Sequence, residues 1–488
     1  MKVLFATSEC APWVKTGGLG DVSAALSAAL RDGGTDVRVL LPFYPALRAQ
    51  FPHAPVLAQL CGLGGELPDA TLRLAQADSG VPLLLLDNAA CYQRPGSPYA
   101  GPDDRDWRDN DIRFGLLSRA AAWLGSRDCT LDWQCDIVHC NDWQSALAPA
   151  YLHYAGSPQG RRARTVMTVH NIAFQGIFDR ASLGRVGLPD AAWRFDSVEF
   201  HGSLSFLKAG LQHADALTTV SPTYAREILT DEGGMGLADL LRWRRDALVG
   251  ILNGIDTTQW DPATDPLIEQ HYDSTRLDAR GANKAALQRQ LGLVPRDDRP
   301  LLGVVSRMTE QKGLDLLLPI ADALAALPVQ LVMLGTGDPV LEYRLSGIAR
   351  LHRGEFATVT GFDESLAHRI EASADIFLMP SRFEPCGLNQ LYSLRYGAPP
   401  VVSAVGGLAD TVIDCSDATL LDGTANGFVC RELTPPALLA TVQRAVSAWR
   451  QPALWRRLQQ NGMKAELGWH ASAERYRVLY RGLLQPQG

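Results

Sequence analysis

The chain has 488 residues, 46% of them hydrophobic and 20% charged, with a formal net charge of -7. That length exceeds what one hydrophobic core usually holds, so two or more domains are expected. The composition is that of an ordinary globular protein, and the negative balance argues against a nucleic-acid partner. The nine cysteines form no CxxC pair, which fits a reducing compartment better than a disulfide framework. Cys135 and Cys140 flank an expected strand and read as core thiols rather than metal ligands. No apolar run reaches membrane-spanning length. The first strand begins at Val3, which is read as leaving no room for a leader peptide, so a cytoplasmic protein without a membrane partner is expected.

In chain order, strands alternate with helices. Val3–Ala6 is an expected strand, and a loop through Lys15-Thr16-Gly17-Gly18-Leu19-Gly20-Asp21 leads into a helix over Val22–Leu30 and a strand over Val37–Leu41. Paired glycines bring backbone N–H groups close to a diphosphate, and Lys15 adds a mobile positive charge. The alternative is a tight turn beside a surface lysine; a cation before the turn and a helix after it favour binding. A strand is expected at Val81–Leu86. The loop Tyr92–Tyr99 carries two aromatic rings that either stack on sugars or pack the loop down. Asp103–Asp111 contains two Asp-x-Asp pairs, a spacing that metal-dependent sugar transferases use to hold a cation. No buried strand precedes either pair, so the segment is read as a solvated charge run.

Asp136–His139 and Thr165–Val169 are expected buried strands, ending in Cys140-Asn141-Asp142-Trp143 and in His170-Asn171. Polar residues at successive strand ends are what a ligand crevice requires, and this raises His170 above a lone core histidine. A helix and strand over Lys208–Thr219, a helix opening at Ser221-Pro222 and a strand over Val249–Leu252 complete the first half, with a boundary near Gly254.

The second half starts a new sheet at Leu301–Val305, followed by Ser306-Arg307 and Gln311-Lys312-Gly313. Two cations five residues apart beyond a strand end can clamp phosphates, or pair with surface charges. Val329–Leu334 runs into Gly335-Thr336-Gly337, which lacks the third glycine of a dinucleotide fingerprint. Another strand end is expected at Thr358–Phe362. Ile376–Met379 is a short apolar run suited to a strand buried on both faces, stopped by Pro380. The loop Ser381–Gly387 follows, then helical spacing over Leu388–Tyr396. A helix N-terminus beyond a strand end attracts phosphate. Glu384 just ahead of it is either a surface loop residue or an acceptor for sugar hydroxyls. After a strand at Pro400–Ser403, Gly406-Gly407-Leu408-Ala409-Asp410 echoes the N-terminal glycine turn. Leu454–Leu484 is amphipathic, with Trp455, Trp469, Tyr476 and Tyr480, and is expected to dock on another domain. The pattern implies two doubly wound α/β domains.

Lys15–Asp21, Thr168-Val169-His170-Asn171, Ser306-Arg307 with Gln311-Lys312-Gly313, and Ser381–Leu388 resemble, in order, the signatures of bacterial glycogen synthases and plant starch synthases. The resemblance spans nearly the whole chain. It implies a GT-B architecture, two Rossmann-like domains facing each other across a deep cleft. The expected division is 1–254 for the acceptor side, 255–460 for the nucleotide-sugar side, and 461–488 as a helical segment packing back on the first domain. It also implies glucose transfer from ADP-glucose to the non-reducing end of an α-1,4-glucan such as glycogen, with retention of configuration. Carried over by position, Lys15 and Gly18, with Asp21 in the same turn, meet the donor phosphates from one domain, and Arg307 and Lys312 from the other. Glu384 holds the glucose hydroxyls, with Cys386, Gly387 and Leu388 lining that pocket. His170 lies beside the donor sugar, with its carbonyl facing the charge that develops at the anomeric carbon. Asp142, among the catalytic positions with Glu384, His170, Arg307, Lys312 and Lys15, and Asn253, among the donor-binding ones, match further cleft positions, and Tyr92 matches a loop near the acceptor side. Two departures stand near the site: Asn389 where Thr is common, and Asn141 where a second His is common.

The cations would neutralise a departing nucleotide diphosphate, so neither a metal nor pyridoxal phosphate is expected. Retaining glycosidases use two carboxylates; with Glu384 alone clearly placed, same-face attack assisted by the leaving phosphate is expected. Rival readings are a related transferase using UDP-glucose or another acceptor, a pyridoxal-phosphate-dependent glucan phosphorylase, and a silent glucan-binding protein.

Overall fold

The computed structural model of the chain describes residues 1–154 and 163–485. Residues 155–162 and 486–488, within the expected first and terminal segments, lie outside the described residues. The chain divides into two compact units, Met1–Asn253 together with the stretch from Trp469 onward, and Gly254–Gly468.

The strands of the first unit are β1 (Lys2–Ala6), β2 (Asp36–Pro42), β3 (Val56–Leu60), β4 (Ala70–Gln76), β5 (Pro82–Asp87), β6 (Ile137–Asn141), β7 (Arg164–Val169), β8 (Ile177–Phe178), β9 (Glu199–Phe200), β10 (Ser203–Ser205), β11 (Ala216–Thr219) and β12 (Leu248–Gly250). Nine of them form one sheet in the order β12-β11-β7-β6-β1-β2-β5-β4-β3, and β8, β10 and β9 form a small second sheet. From β12 to β5 all neighbours in the large sheet are parallel, while β3 and β4 add an antiparallel edge. The central strands read as unbroken apolar runs because both faces are covered: β1 buries Val3, Leu4, Phe5 and Ala6 completely. The chain winds outward from β1 through β2 in one direction and returns to β6 on the other side. The point where strand order reverses, between β1 and β6, is where an open α/β sheet leaves a crevice at its carboxyl edge.

The second unit carries β13 (Leu301–Val305), β14 (Gln330–Gly335), β15 (Phe356–Thr360), β16 (Ile376–Met379), β17 (Pro400–Ser403) and β18 (Phe428–Cys430). They form a six-stranded sheet in the order β15-β14-β13-β16-β17-β18, parallel throughout. This is the doubly wound dinucleotide-fold order, and its reversal lies between β13 and β16. Two apolar cores flank the sheet, one including Leu302, Val304, Leu378 and Leu458, the other Leu301, Val332, Phe377 and Val402.

The terminal segment differs from the sequence expectation. Leu454–Leu484 is two helices, Pro452–Lys464 and Trp469–Leu484, and the units divide at Gly468 rather than after residue 460. The first helix buries Trp455 and Leu458 in the core of the second unit. The second belongs to the first unit: the Tyr480 hydroxyl lies 2.7 Å from His139 Nδ1 and Arg475 donates to the Gly250 carbonyl at 3.1 Å. The amphipathic stripe serves two cores in succession. Asp103–Asp111 is a solvated run only in its first part, where Asp103, Asp104 and Asp106 are exposed; its end is not. Asp109 pairs with Arg94, and Asp111 is buried, accepting from Ser182 Oγ and Arg185, each at 2.7 Å. Among the described residues no helix is long and apolar enough to cross a membrane, and no cysteine is in a disulfide. Burial raises the thiols of Cys135 and Cys140 well above the usual range, consistent with core positions.

Candidate active site

In the second unit the candidate residues converge at the carboxyl ends of β13, β16 and β17, neighbours in the sheet. β13 ends in Ser306-Arg307, and a 3₁₀ turn over Glu310–Lys312 follows. Gly313 then takes a left-handed φ of 67°, and a side chain there would place its Cβ 1.8 Å from the Pro380 carbonyl oxygen, so only glycine lets the two strand exits lie this close. Beyond β16 the loop Ser381–Gly387 is held from both sides. Arg382 N donates to the Gln311 carbonyl at 2.9 Å, and Gln311 Nε2 donates to the Phe383 carbonyl at 3.1 Å. Arg382 also forks onto Asp315 at 2.6 and 2.7 Å. From β17, Gly406 has φ 41° and sits where a Cβ would come within 1.9 Å of the Glu384 carbonyl oxygen. Gly407 N donates to that same oxygen at 3.2 Å.

This bracing points Glu384 at Lys312. Lys312 Nζ lies 2.5 Å from Glu384 Oε2, with side chains only 15% and 7% exposed, and Ser381 Oγ donates to the same oxygen at 3.0 Å. The pairing compensates the charge of a nearly buried carboxylate. It also leaves capacity: an ammonium has three N–H donors and a carboxylate two oxygens, so Lys312 retains donors for a phosphate and Glu384 retains Oε1 for a hydroxyl. Arg307 is exposed, with one long bond of 3.4 Å to Gln311 Oε1. Cys386 is buried beneath the loop, and Gly387 and Leu388 lead into the helix Asn389–Arg395. Asn389, the departure from Thr, donates through Nδ2 to the Val305 carbonyl and so ties that helix to the end of β13. Gly335-Thr336-Gly337 ends β14 and is bound to the β13 exit through Met308 N to Thr336 O at 2.9 Å.

In the first unit the residues gather where β1, β6 and β7 end. The helix after the glycine turn starts earlier than expected, spanning Gly18–Asp32. Lys15 Nζ pairs with Asp21 at 2.9 Å, with side chains 24% and 23% exposed. The turn is anchored by Glu9, a residue the sequence reading passed over. Its Oε2 accepts from Thr16 N and its Oε1 from Thr16 Oγ1, both at 2.6 Å, and the Tyr99 hydroxyl donates to Oε1 as well. Its position three residues beyond Ala6, the end of β1, was the available signal, the same one that singled out Asp142 and His170.

Asp142 follows β6 at φ 54°, buried, and its Oδ1 accepts from His170 N at 2.7 Å and Asn171 N at 3.4 Å. Burial pushes its carboxyl up to about 7 against the pull of those two N–H groups. Asn141, the departure from His, donates to the Ala6 carbonyl at 3.1 Å and presents Oδ1 to His170 Nε2 at 2.9 Å. That geometry assigns the proton to Nε2 and orients the ring. Burial lowers His170 to about 3, so its imidazole is neutral near pH 7. Asn253 is buried, and its Oδ1 has no donor among the described residues. Tyr92 corrects the expectation of a loop ring available for stacking. It ends the helix Ala89–Tyr92, is 1% exposed, packs edge-on against Tyr44, and donates its hydroxyl to the Arg113 carbonyl at 2.6 Å.

Residues 2–243 match the family model of the starch synthase catalytic domain, and residues 299–447 that of glycosyl transferases group 1. A glycogen synthase from Dechloromonas aromatica is 57% identical over 99% of this chain and 98% of its own. Another from Nitrosospira multiformis is 50% identical over 99% and 97%. Among solved structures, the catalytic domain of starch synthase IV from Arabidopsis thaliana, bound to ADP and acarbose, superposes with a TM-score of 0.88 at 32% identity, covering 99% of this chain and 98% of that one. A sucrose-phosphate synthase from Thermosynechococcus elongatus, at 19% identity and a TM-score of 0.57 over 99% of this chain and 98% of its own, shares the fold.

Proposed function

The chain belongs to the glycogen synthase and starch synthase family of GT-B glycosyltransferases, and from that premise we propose that it transfers glucose from ADP-glucose to the non-reducing end of an α-1,4-glucan, with retention and without a metal. The observation that carries this reading is the Lys312–Glu384–Ser381 cluster at the reversal point of the second sheet. One atom set there offers a cation to a phosphate and a carboxylate oxygen to a sugar hydroxyl.

In this reading the second unit is the donor side. Arg307 and Lys312 neutralise the diphosphate as the glycosidic bond breaks; each such fixed donor is worth ~3 kcal/mol of barrier lowering. Glu384 orients the glucose, and Cys386, Gly387 and Leu388 shape its pocket. The first unit is the acceptor side and adds Lys15 and Gly18, with Asp21 holding the lysine. His170, neutral and fixed by Asn141, offers its backbone carbonyl to the positive charge that develops at the anomeric carbon, and Asp142 fixes the His170 backbone. Asn253 contributes a polar side chain. The acceptor hydroxyl attacks on the face from which the phosphate departs and gives its proton to the leaving phosphate. Tyr92 supports the acceptor side from within the core rather than by stacking on the glucan. Reaction in the cytoplasm fits the free cysteines.

The test is incorporation of labelled glucose into glycogen, with ADP-glucose and UDP-glucose in parallel and EDTA present. Incorporation from ADP-glucose is expected. Preference for UDP-glucose would move the protein to another donor class, loss of activity in EDTA would restore a metal, and a covalent glucosyl adduct on Glu384 or Asp142 would overturn same-face attack.

A further inference from the structure

The second unit has a cavity of about 470 Å³ that none of the reactions above uses. It lies at the opposite edge of the sheet from the Ser381–Gly387 loop. Its floor includes Asp375, which precedes β16 and accepts from Leu301 N, at the start of β13, at 2.8 Å. The volume is that of a small-molecule site. The first turns of the helices Arg280–Gln290 and Pro452–Lys464 line it, contributing Arg280, Lys284, Trp455 and Arg456. Two buried polar atoms on its walls have no partner among the described residues: the indole N–H of Trp455, a residue 6% exposed, and Ser373 Oγ, from a residue 2% exposed. An unmet buried donor costs on the order of 1–3 kcal/mol, so both favour a ligand carrying acceptor oxygens.

Charge narrows the class. The lining holds four cations against three carboxylates. Two of the cations are matched: Arg456 pairs with Asp278, and Lys284 with Asp375 at 2.7 Å. Asp298 faces Arg296 at 3.9 Å. Arg280 donates to the Ala374 carbonyl and has the buried Glu371 carboxyl near it, whereas the exposed Arg450 has no carboxylate partner among the described residues, so its positive charge stands uncompensated. The indoles are not bare platforms for a neutral sugar. Phe428 stacks on Trp455 at 6.2 Å, and the Lys284 ammonium stands 5.5 Å over Trp449.

We propose that this cavity binds the phosphate group of a small metabolite, free phosphate or a sugar phosphate. Arg450, Arg280 and the Trp455 N–H contact its oxygens, at a site separate from the donor loop. Titration calorimetry of the full chain with inorganic phosphate and, separately, with α-glucose 1-phosphate tests it, each in saturating ADP so that the donor loop is filled. Binding of at least one probe is expected, weakened tenfold or more by Arg450→Glu and threefold or more by Trp455→Phe. Trp455→Phe keeps an aromatic ring against Phe428 and removes the unpartnered N–H; it also removes core volume, so a modestly lower melting temperature is expected and binding is measured well below it. Stronger binding of the sugar phosphate than of free phosphate identifies the metabolite as the source; equal binding identifies phosphate alone. The proposal is overturned if neither probe binds, if both variants bind like the parent, or if a neutral maltooligosaccharide binds there instead.

Discussion

The two units each place a lysine–carboxylate pair at a sheet reversal point, and the pairs differ in kind. Lys312–Glu384 is nearly enclosed, joins two strand exits, and is short at 2.5 Å. Lys15–Asp21 lies within one turn and its helix, is about a quarter exposed on each side, and spans 2.9 Å. The first is part of how its loops are held together. The second is a solvated pair on a turn that Glu9 already anchors. A lysine–carboxylate pair thus braces two strand exits in one unit and adds little to a turn in the other.

Breaking the enclosed pair should cost most. Lys312→Ala leaves a buried carboxylate uncompensated, and a loss of ~3–5 kcal/mol in denaturant unfolding is expected, along with ~10²–10³-fold lower turnover. Adding Glu384→Gln should restore much of the stability and none of the activity; if stability does not return, the pair is not what holds the loops. Next comes Gly406→Ala, whose Cβ would meet the Glu384 carbonyl oxygen. A cost of ~1–3 kcal/mol is expected from overpacking, plus strain at positive φ, read as a lower melting temperature with reduced donor binding.

Asp142 sharpens the comparison through pH. Its carboxyl is raised to about 7 from an ordinary value near ~3.9. As pH rises, the unfolded chain therefore loses this proton before the folded one does. The stability it contributes is whole below about pH 4 and is lost as pH climbs to about 7. Asp142→Asn should gain stability relative to the parent over that window, with the difference smallest at pH 4; parallel denaturation curves at pH 4 and pH 7 would contradict the assignment. The smallest stability effect belongs to Lys15→Ala, under ~1 kcal/mol as for other exposed pairs, even though turnover should fall by ~10²-fold. A large destabilisation would make the two pairs alike after all.

The strands around both reversal points were legible because burial on both faces leaves unbroken apolar runs: Leu301–Val305, Ile376–Met379 and Pro400–Ser403 match their strands residue for residue. Polar residues beyond those runs gave the candidate site for the same reason. What the sequence hid were partnerships between distant segments. Nothing local to Glu384 names Lys312 as its partner, nor to Asp111 names Arg185. Tyr92 looked like a loop ring because its neighbours are Pro and Gly, while Tyr44 and Arg113, which bury it, are remote in the chain. The single stripe from Leu454 to Leu484 concealed a break, since helical periodicity does not report which core a face is buried against.

That break has a consequence for how the molecule is made. The first unit contains the chain's opening and its closing helix, with the whole second unit between them. On the ribosome the first sheet can form early, but His139 must wait for Tyr480, and the Leu252 carbonyl for Ser472, until more than two hundred further residues have been translated. The second unit, continuous in sequence, is free to fold while the first is still incomplete. A nascent chain stalled before Trp469 would therefore carry a finished second unit and an unsealed first unit, and premature stop codons near the end should yield protein that chaperones retain.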